Sequence, residues 1–275
     1  MSEKSSNIGI VAGNGQFPLL FARAARKAGM QVYAAAHTNE TEEDLAQETD
    51  GILWVKIGEL QKIMDFFLQN NVTKAVMLGG ITKARLMTDF APDALALEAL
   101  ASIDATGDDM VLRAVAQAVE KHGIQVIAAT SILPHLLAPE GVWTQRRPTE
   151  QEAADIKLGH ELLQKIGPLD IGQCLILTRG SVICVEAIEG TDAAIKRAGE
   201  LEASDAVVVK MPKPNQDHRF DLPAAGAKTI ENMIPNGCTA LALAAGAAVV
   251  FDREAMVELA DSHNIAIVAI NNNQE

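Results

Sequence analysis

Short apolar runs alternate with stretches of helical periodicity along the first half of this chain, and that alternation constrains the fold more than any other feature. Residues 8–11 predict a buried strand, and 18–28 a helix, with Pro18 suited to the first helical position and Gly29 to its end. Further strands are predicted at 31–36, 52–55, 74–78 and 125–129. Helices are predicted at 59–69, where Leu60, Ile63, Met64, Phe67 and Leu68 share one face, and at 108–122, closed by Gly123. Strand–helix alternation implies a parallel sheet wound by right-handed crossovers. Only 4% of residues are aromatic, so Ala, Val, Ile and Leu must fill the core, as in parallel strands covered by helices.

The second half has a different rhythm. Residues 131–147 carry Pro134, Pro139, Gly141 and Trp143 without periodicity, and are expected to be a linker. Thr149 and Glu152 form a predicted capping box for a helix ending near Gly167. A hairpin is expected from 173–178 and 182–188 around Gly180. Helices at 192–201, 228–233 and 254–263 alternate with strands at 206–210, 247–251 and 265–270. The expected architecture is α/β in two domains: a Rossmann-like parallel sheet with helices over 1–130, the linker at 131–147, and a mixed α/β catalytic domain over 148–275.

Composition removes several classes of function. A formal net charge of -13 repels polyanions, so no nucleic-acid partner is expected. It also limits membrane contact to something local and peripheral. The polar start of the chain lacks the apolar region of a signal peptide. The most apolar run, 238–251, is too short and too rich in Ala and Gly to span a bilayer, and is expected to be buried strand and helix edge. Cys174, Cys184 and Cys238 form no CxxC pair, which suits reduced, buried thiols in the cytosol.

Four places can carry chemistry. Gly13-Asn14-Gly15 follows the first strand, where backbone N–H groups and a helix N-terminus can meet a phosphate; a plain tight turn is the equal alternative. The third glycine of the dinucleotide fingerprint is replaced by Pro18, and no acid stands at the end of the second strand, 35–37, which disfavours NAD. Gly79-Gly80 closes the fourth predicted strand, at the crevice end of the sheet, where it can admit a ligand or serve a loop that needs positive φ. Asp108-Asp109 opens a helix, where acids suit the dipole, and Arg113 one turn on can reach a phosphate or pair with Asp109. The richest segment holds Glu186, Glu189, Asp192, Lys210, Lys213, Asp217, Arg219 and Asp221, stiffened by prolines. Carboxylates there can hold Mg²⁺ and the cations can neutralise phosphate, or the segment can be a solvated loop.

The segments containing Gly13-Asn14-Gly15, Asp108-Asp109-Met110-Val111-Leu112-Arg113, Leu169-Asp170-Ile171-Gly172-Gln173, Glu189-Gly190-Thr191-Asp192 and Lys213-Pro214-Asn215-Gln216-Asp217 resemble, in this order, the LpxI family of UDP-2,3-diacylglucosamine hydrolases. Family members often carry a third glycine or a Leu where this chain has Asn14 and Phe17. The resemblance spans the chain. It implies water attack on the α-phosphorus, giving UMP and 2,3-diacylglucosamine 1-phosphate in lipid A assembly. It also implies a divalent cation (Mg²⁺, Mn²⁺ or Co²⁺) and a cytoplasmic protein at most peripheral to the inner membrane, with a homodimer left open. Asp221 is the first choice for the essential acid and Asp217 the second. Both are candidate metal ligands, with Glu186, Glu189 and Asp192 behind them. Substrate contacts are expected from Gly13, Asn14, Gly15, Gly79, Gly80, Asp108, Asp109, Arg113, Gln173, Thr191, Lys210, Lys213 and Arg219. Leu133, Leu136, Leu137 and Trp143 are candidates for an acyl-chain wall, with ordinary packing of the linker onto the domains the favoured alternative for each residue singly. The competing readings are an NAD-type oxidoreductase and a non-catalytic nucleotide- or lipid-sensing module.

Overall fold

The apolar runs of the first half become one parallel sheet. The computed structural model describes residues 6–82, 85, 88–101, 108–214, 217, 219–220 and 222–271. Strands β1 (Asn7–Ala12), β2 (Gln31–His37), β3 (Gly51–Val55), β4 (Lys74–Leu78) and β5 (Gln125–Val126) pair in the order β3-β2-β1-β4-β5, all parallel. Central β1 is covered on both faces, so its residues read as a continuous apolar run. Helix α1 (Phe17–Lys27) carries a proline in its first turn and buries Phe21, Ala22 and Ala25. Helix α2 (Leu60–Gln69) buries Leu60, Ile63, Met64 and Phe67, the face its spacing predicts. Met64 and Phe67 have no exposed surface, and each such burial contributes roughly 1.5–3 kcal/mol. Gly9 makes room for that packing, since an added Cβ would lie 3.0 Å from the Phe67 ring. Helices α3 (Ala94–Ala101) and α4 (Asp108–Lys121) complete the unit. The first of these was not expected, because an Ala/Leu run broken only by Glu98 shows too little polar contrast to reveal its period.

The second half builds a six-stranded mixed sheet. Its strands are β6 (Gly141–Val142), β7 (Cys174–Thr178), β8 (Ser181–Val185), β9 (Ala206–Lys210), β11 (Cys238–Ala245) and β13 (Ala266–Asn271), in the order β6-β13-β11-β9-β7-β8. The expected hairpin is the antiparallel pair β7–β8. A short parallel pair, β10 (Ala224–Ala225) with β12 (Val249–Val250), stands apart from this sheet. Period-two alternation splits the strand side chains between two cores. Val208, Leu241 and Leu243 face helices α6 (Thr191–Glu200), α7 (Ala227–Met233) and α8 (Arg253–Ser262). Val207, Val209, Ala240 and Ala242 face helix α5 (Glu150–Ile166). The predicted capping box opens α5: Glu152 N–H donates to the Thr149 hydroxyl at 3.2 Å, and Thr149 N–H to Glu152 Oε2 at 2.7 Å.

Two boundaries differ from the sequence reading. The compact units are 1–133 with 217–221, and 134–216 with 222–275. The segment around Asp217 therefore belongs with the first unit rather than with the half that encodes it. Residues 134–147, read as linker, are hydrogen-bonded into the second unit. Ala138 N–H donates to Ala248 O at 2.9 Å, β6 pairs with β13, and Trp143 N–H donates to Ile267 O at 3.0 Å. Prolines and glycines obscured an edge strand, a position that tolerates them. The apolar run 238–251 is mostly the long strand β11, with only Val249 and Val250 forming the expected strand after it.

Candidate active site

Along the first sheet the chain steps outward from β1 to β3 and then reverses to β4 and β5, so the crevice end of β1 and β4 is its switch point. Both glycine pairs lie there, and they grip each other. Gly13 N–H donates to Leu78 O and Asn14 N–H to Gly80 O, each at 2.8 Å. An added Cβ would fall 2.2 Å from Gly80 O at Gly13 and 2.3 Å from Asn14 O at Gly79, whose φ is 80°. These glycines are required by the approach of two loops. The amides of Gly13 and Asn14, expected to be open to a phosphate, are committed to protein carbonyls.

Behind this clasp stands Glu40, three residues past β2, with 2% of its side chain exposed. Its carboxylate accepts from Asn14 Nδ2 at 2.9 Å, the Thr82 hydroxyl at 3.0 Å and Thr82 N–H at 3.1 Å. The Asn14 amide oxygen accepts Gly80 N–H at 3.2 Å, and Arg85 Nε lies 3.8 Å from Glu40. Next to it, His37 Nδ1 at 2.9 Å and the Thr41 hydroxyl at 2.6 Å both donate to Ala12 O. Burial lowers the His37 pKa, only partly offset by that carbonyl and by Glu40, so the ring is neutral at pH 7. The sequence reading missed Glu40, Thr82, Thr41 and His37. Their only signal in the sequence is polarity just past a buried strand, and Glu40 stands three residues beyond the strand end where a ribose-binding acid is expected.

The second unit gathers four of the expected residues at one end of its sheet. Cys174 on β7 pairs with Lys210 on β9, and Glu186 N–H donates to Cys174 O at 2.9 Å, so Glu186, Cys174 and Lys210 form one row. Glu186 is buried and accepts from the Thr191 hydroxyl at 2.9 Å and from Gln173 N–H at 3.3 Å. Gln173 Oε1 is buried without a hydrogen-bond partner among the described residues. Lys210, 8% exposed, donates to Ala224 O at 2.9 Å. A buried ammonium against a neutral carbonyl is costly, which makes this position suited to an anion. Burial and Glu186 push the Cys174 thiol up, and burial pushes Cys238 up to about 12, so neither is a nucleophile.

The remaining expected residues are engaged elsewhere. Glu189 pairs with Arg197 at 2.5 Å, Lys213 pairs with Asp170, and Asp192 is exposed in the first turn of α6. Arg219 grips Asp217 through Nε at 3.1 Å and Nη2 at 2.9 Å, pairs with Glu120 at 3.0 Å, and stacks 4.8 Å from the centre of the Phe220 ring. The Arg219 hydrogen bond holds the Asp217 carboxyl below its usual range against a smaller effect of burial, with Arg113 contributing. Asp221 and the side chains of Asp108 and Asp109 lie outside the described residues. Among the described residues no three His, Cys, Asp or Glu side chains converge on a metal position. Glu186, Glu189 and Asp217 each already accept hydrogen bonds from protein donors. Of the suggested acyl wall, Leu133 is buried, Leu136 and Leu137 are half-buried, and Trp143 packs on the second unit's core with its ring N–H on Pro139 O at 2.9 Å. The exposed apolar side chains near Gln173 and Glu186 are instead Leu169, Ile171 and Ile188.

Fold and site together define a two-domain α/β protein, with a Rossmann-like N-terminal sheet and a mixed C-terminal sheet ending in a buried Lys–Glu row. Residues 7–136 match the LpxI N-terminal domain and residues 139–268 the LpxI C-terminal domain. The chain belongs to the LpxI family. It is 30% identical to the UDP-2,3-diacylglucosamine pyrophosphatase LpxI of Caulobacter vibrioides, over 96% of this chain and 97% of that protein. Two solved structures are distantly similar. N5-carboxyaminoimidazole synthetase from Staphylococcus aureus, complexed with ADP, is 13% identical at a TM-score of 0.28, covering 64% of this chain and 33% of its own. An L-amino acid ligase from Bacillus licheniformis is 11% identical at a TM-score of 0.29, covering 71% and 43%. This chain thus spans less than half of either enzyme.

Proposed function

We propose that this chain hydrolyses UDP-2,3-diacylglucosamine at its pyrophosphate in lipid A assembly, as a cytoplasmic enzyme at most peripheral to the inner membrane. The observation that carries the reading is family membership across both domains, with a relative of matching length named for this activity. In the proposed reaction a water oxygen bonds to the α-phosphorus. The bond from that phosphorus to the bridging oxygen breaks, UMP keeps the α-phosphorus, and 2,3-diacylglucosamine 1-phosphate leaves with the bridging oxygen. The water's proton passes to a carboxylate, for which Asp221 is the first choice.

Charge on the diphosphate needs neutralising as the leaving group departs. Lys210 supplies a buried ammonium for this, in the row that runs through Cys174 to Glu186, whose carboxylate holds the Thr191 hydroxyl and Gln173 N–H. A divalent cation supplies further neutralisation when bound, and its requirement is part of the proposal. Excess EDTA is expected to abolish turnover and Mg²⁺, Mn²⁺ or Co²⁺ to restore it; full activity in chelator removes the metal from the reaction. The oxidoreductase reading loses ground at Glu40. The acid nearest the end of β2 is saturated by Asn14 and Thr82 and is not available to a ribose hydroxyl.

A further inference from the structure

We infer that Glu40 is a positioning residue, which fixes the two glycine loops at the switch point as one rigid lip of the substrate site. The inference rests on the proposed hydrolase reading and deepens it.

Three loops meet at this carboxylate: its own after β2, the Asn14 loop after β1 and the Thr82 loop after β4. The backbone already joins the second and third at Gly13–Leu78 and Asn14–Gly80. Those two bonds fix the loops near their strand ends, and Asn14 Nδ2 reaches the Thr82 hydroxyl at a long 3.3 Å. Glu40 ties both side chains more closely. One oxygen holds the Asn14 amide, whose own oxygen then holds Gly80 N–H, and the carboxylate holds Thr82 at both its N–H and its hydroxyl. The arrangement fixes the polarity of every partner. Asn14 must present its NH₂ to position 40 and its oxygen to Gly80, and position 40 must offer acceptors only.

A buried carboxylate is an expensive way to join loops, since a group with no charge could fill the same space. This one stands where an open parallel sheet receives its ligand, and perturbed or buried ionisable groups concentrate at such places. Gly15, the third residue of the first loop, has φ 84° and open space around it. The clasp therefore ends in a backbone position free to face a ligand. Glu40 itself is closed off from that space, with 2% of its side chain exposed and three protein donors, so it acts through Asn14 and Thr82.

The polarity rule supplies the test. Glu40→Gln places its NH₂ group against either the Asn14 NH₂ or the Thr82 N–H, and Asn14→Asp places two carboxylates together. Each single variant is expected to raise KM for UDP-2,3-diacylglucosamine by about tenfold or more, with kcat within about threefold of wild type. The double variant Asn14→Asp/Glu40→Gln exchanges donor and acceptor across the same bond, and KM is expected to return to within about threefold of wild type. A merely structural role would lower the melting temperature without this split and its rescue. Should Glu40→Gln not fold, Glu40→Asp keeps the charge but shortens its reach, and the same KM rise is expected. A wild-type KM in the single variants, or a double variant no better than Glu40→Gln, overturns the inference. Amide exchange at Gly80 and Thr82 in the wild type and Glu40→Gln reads the clasp without substrate. Failure of the wild type to hydrolyse the lipid would instead count against the proposed function alone.

Discussion

Asp221→Ala is expected to lower turnover by roughly 100-fold or more, with the circular dichroism spectrum and melting temperature of the wild type. The residues on either side of this segment are held by hydrogen bonds. At its start, Met211 N–H donates to Gln173 O at 3.0 Å. At its end, Lys210 holds Ala224 O and Val249 N–H donates to Pro223 O. Pro212, Pro214 and Pro223 stiffen the chain between. Asp217, the second candidate, has both oxygens on Arg219, and that guanidinium also binds Glu120. A carboxylate so held is a poor proton acceptor, because its pKa is lowered further from neutrality. Asp217→Ala is accordingly a weaker candidate for loss of chemistry than for loss of the Arg219 anchor. A near-wild-type rate in Asp221→Ala would move the essential acid elsewhere.

The second large effect concerns stability. Arg146 grips Glu152 with two bonds, Nη1 to Oε2 at 2.7 Å and Nη2 to Oε1 at 2.9 Å, and the Thr239 hydroxyl donates to the same carboxylate at 2.6 Å. Glu152 is 5% exposed. Burial alone would raise its pKa, but the bonds from Arg146, Thr239 and Thr149 N–H prevail and hold it at about 2, below the ordinary 4.5. Removing one partner of a buried pair leaves an uncompensated charge, so Glu152→Ala is expected to cost about 3–5 kcal/mol. The sign of the pH effect follows from the depressed pKa. The contribution is complete above pH 4.5 and is lost as pH falls toward 2, by up to roughly 3 kcal/mol for this group. Urea unfolding between pH 7 and pH 2.5 should therefore fall more steeply in the wild type than in Glu152→Gln. Parallel curves would show that this carboxylate does not report on folding.

Local chemistry made some of this legible in sequence. Thr149 and Glu152 announced their helix because a capping box is written within four residues. The first sheet was readable because buried parallel strands are continuous apolar runs, and the face of α2 because its period is regular. What escaped depended on contacts distant in sequence. Gly13 and Gly79 stood out as glycines, but their reason, loops 66 residues apart in contact from Asn14 to Gly80, is invisible to a local pattern. Glu40 looked like any polar loop residue until Asn14 and Thr82 closed on it. Residues 134–147 read as linker because edge pairing with β13 comes from more than a hundred residues away. In the second unit, Glu186, Thr191, Gln173 and Lys210 were singled out for their chemistry, yet the row joining Glu186 to Lys210 through Cys174 exists only once β7 pairs with both β8 and β9.

The central claim is hydrolysis at the α-phosphorus, and the most direct measurement is hydrolysis in ¹⁸O-labelled water. Purified protein is incubated with UDP-2,3-diacylglucosamine and Mg²⁺, and both products are weighed by mass spectrometry. The account predicts UMP carrying one ¹⁸O and unlabelled 2,3-diacylglucosamine 1-phosphate. Label in the lipid phosphate would place the attack on the other phosphorus, and substrate bound but left intact would contradict the enzymatic reading.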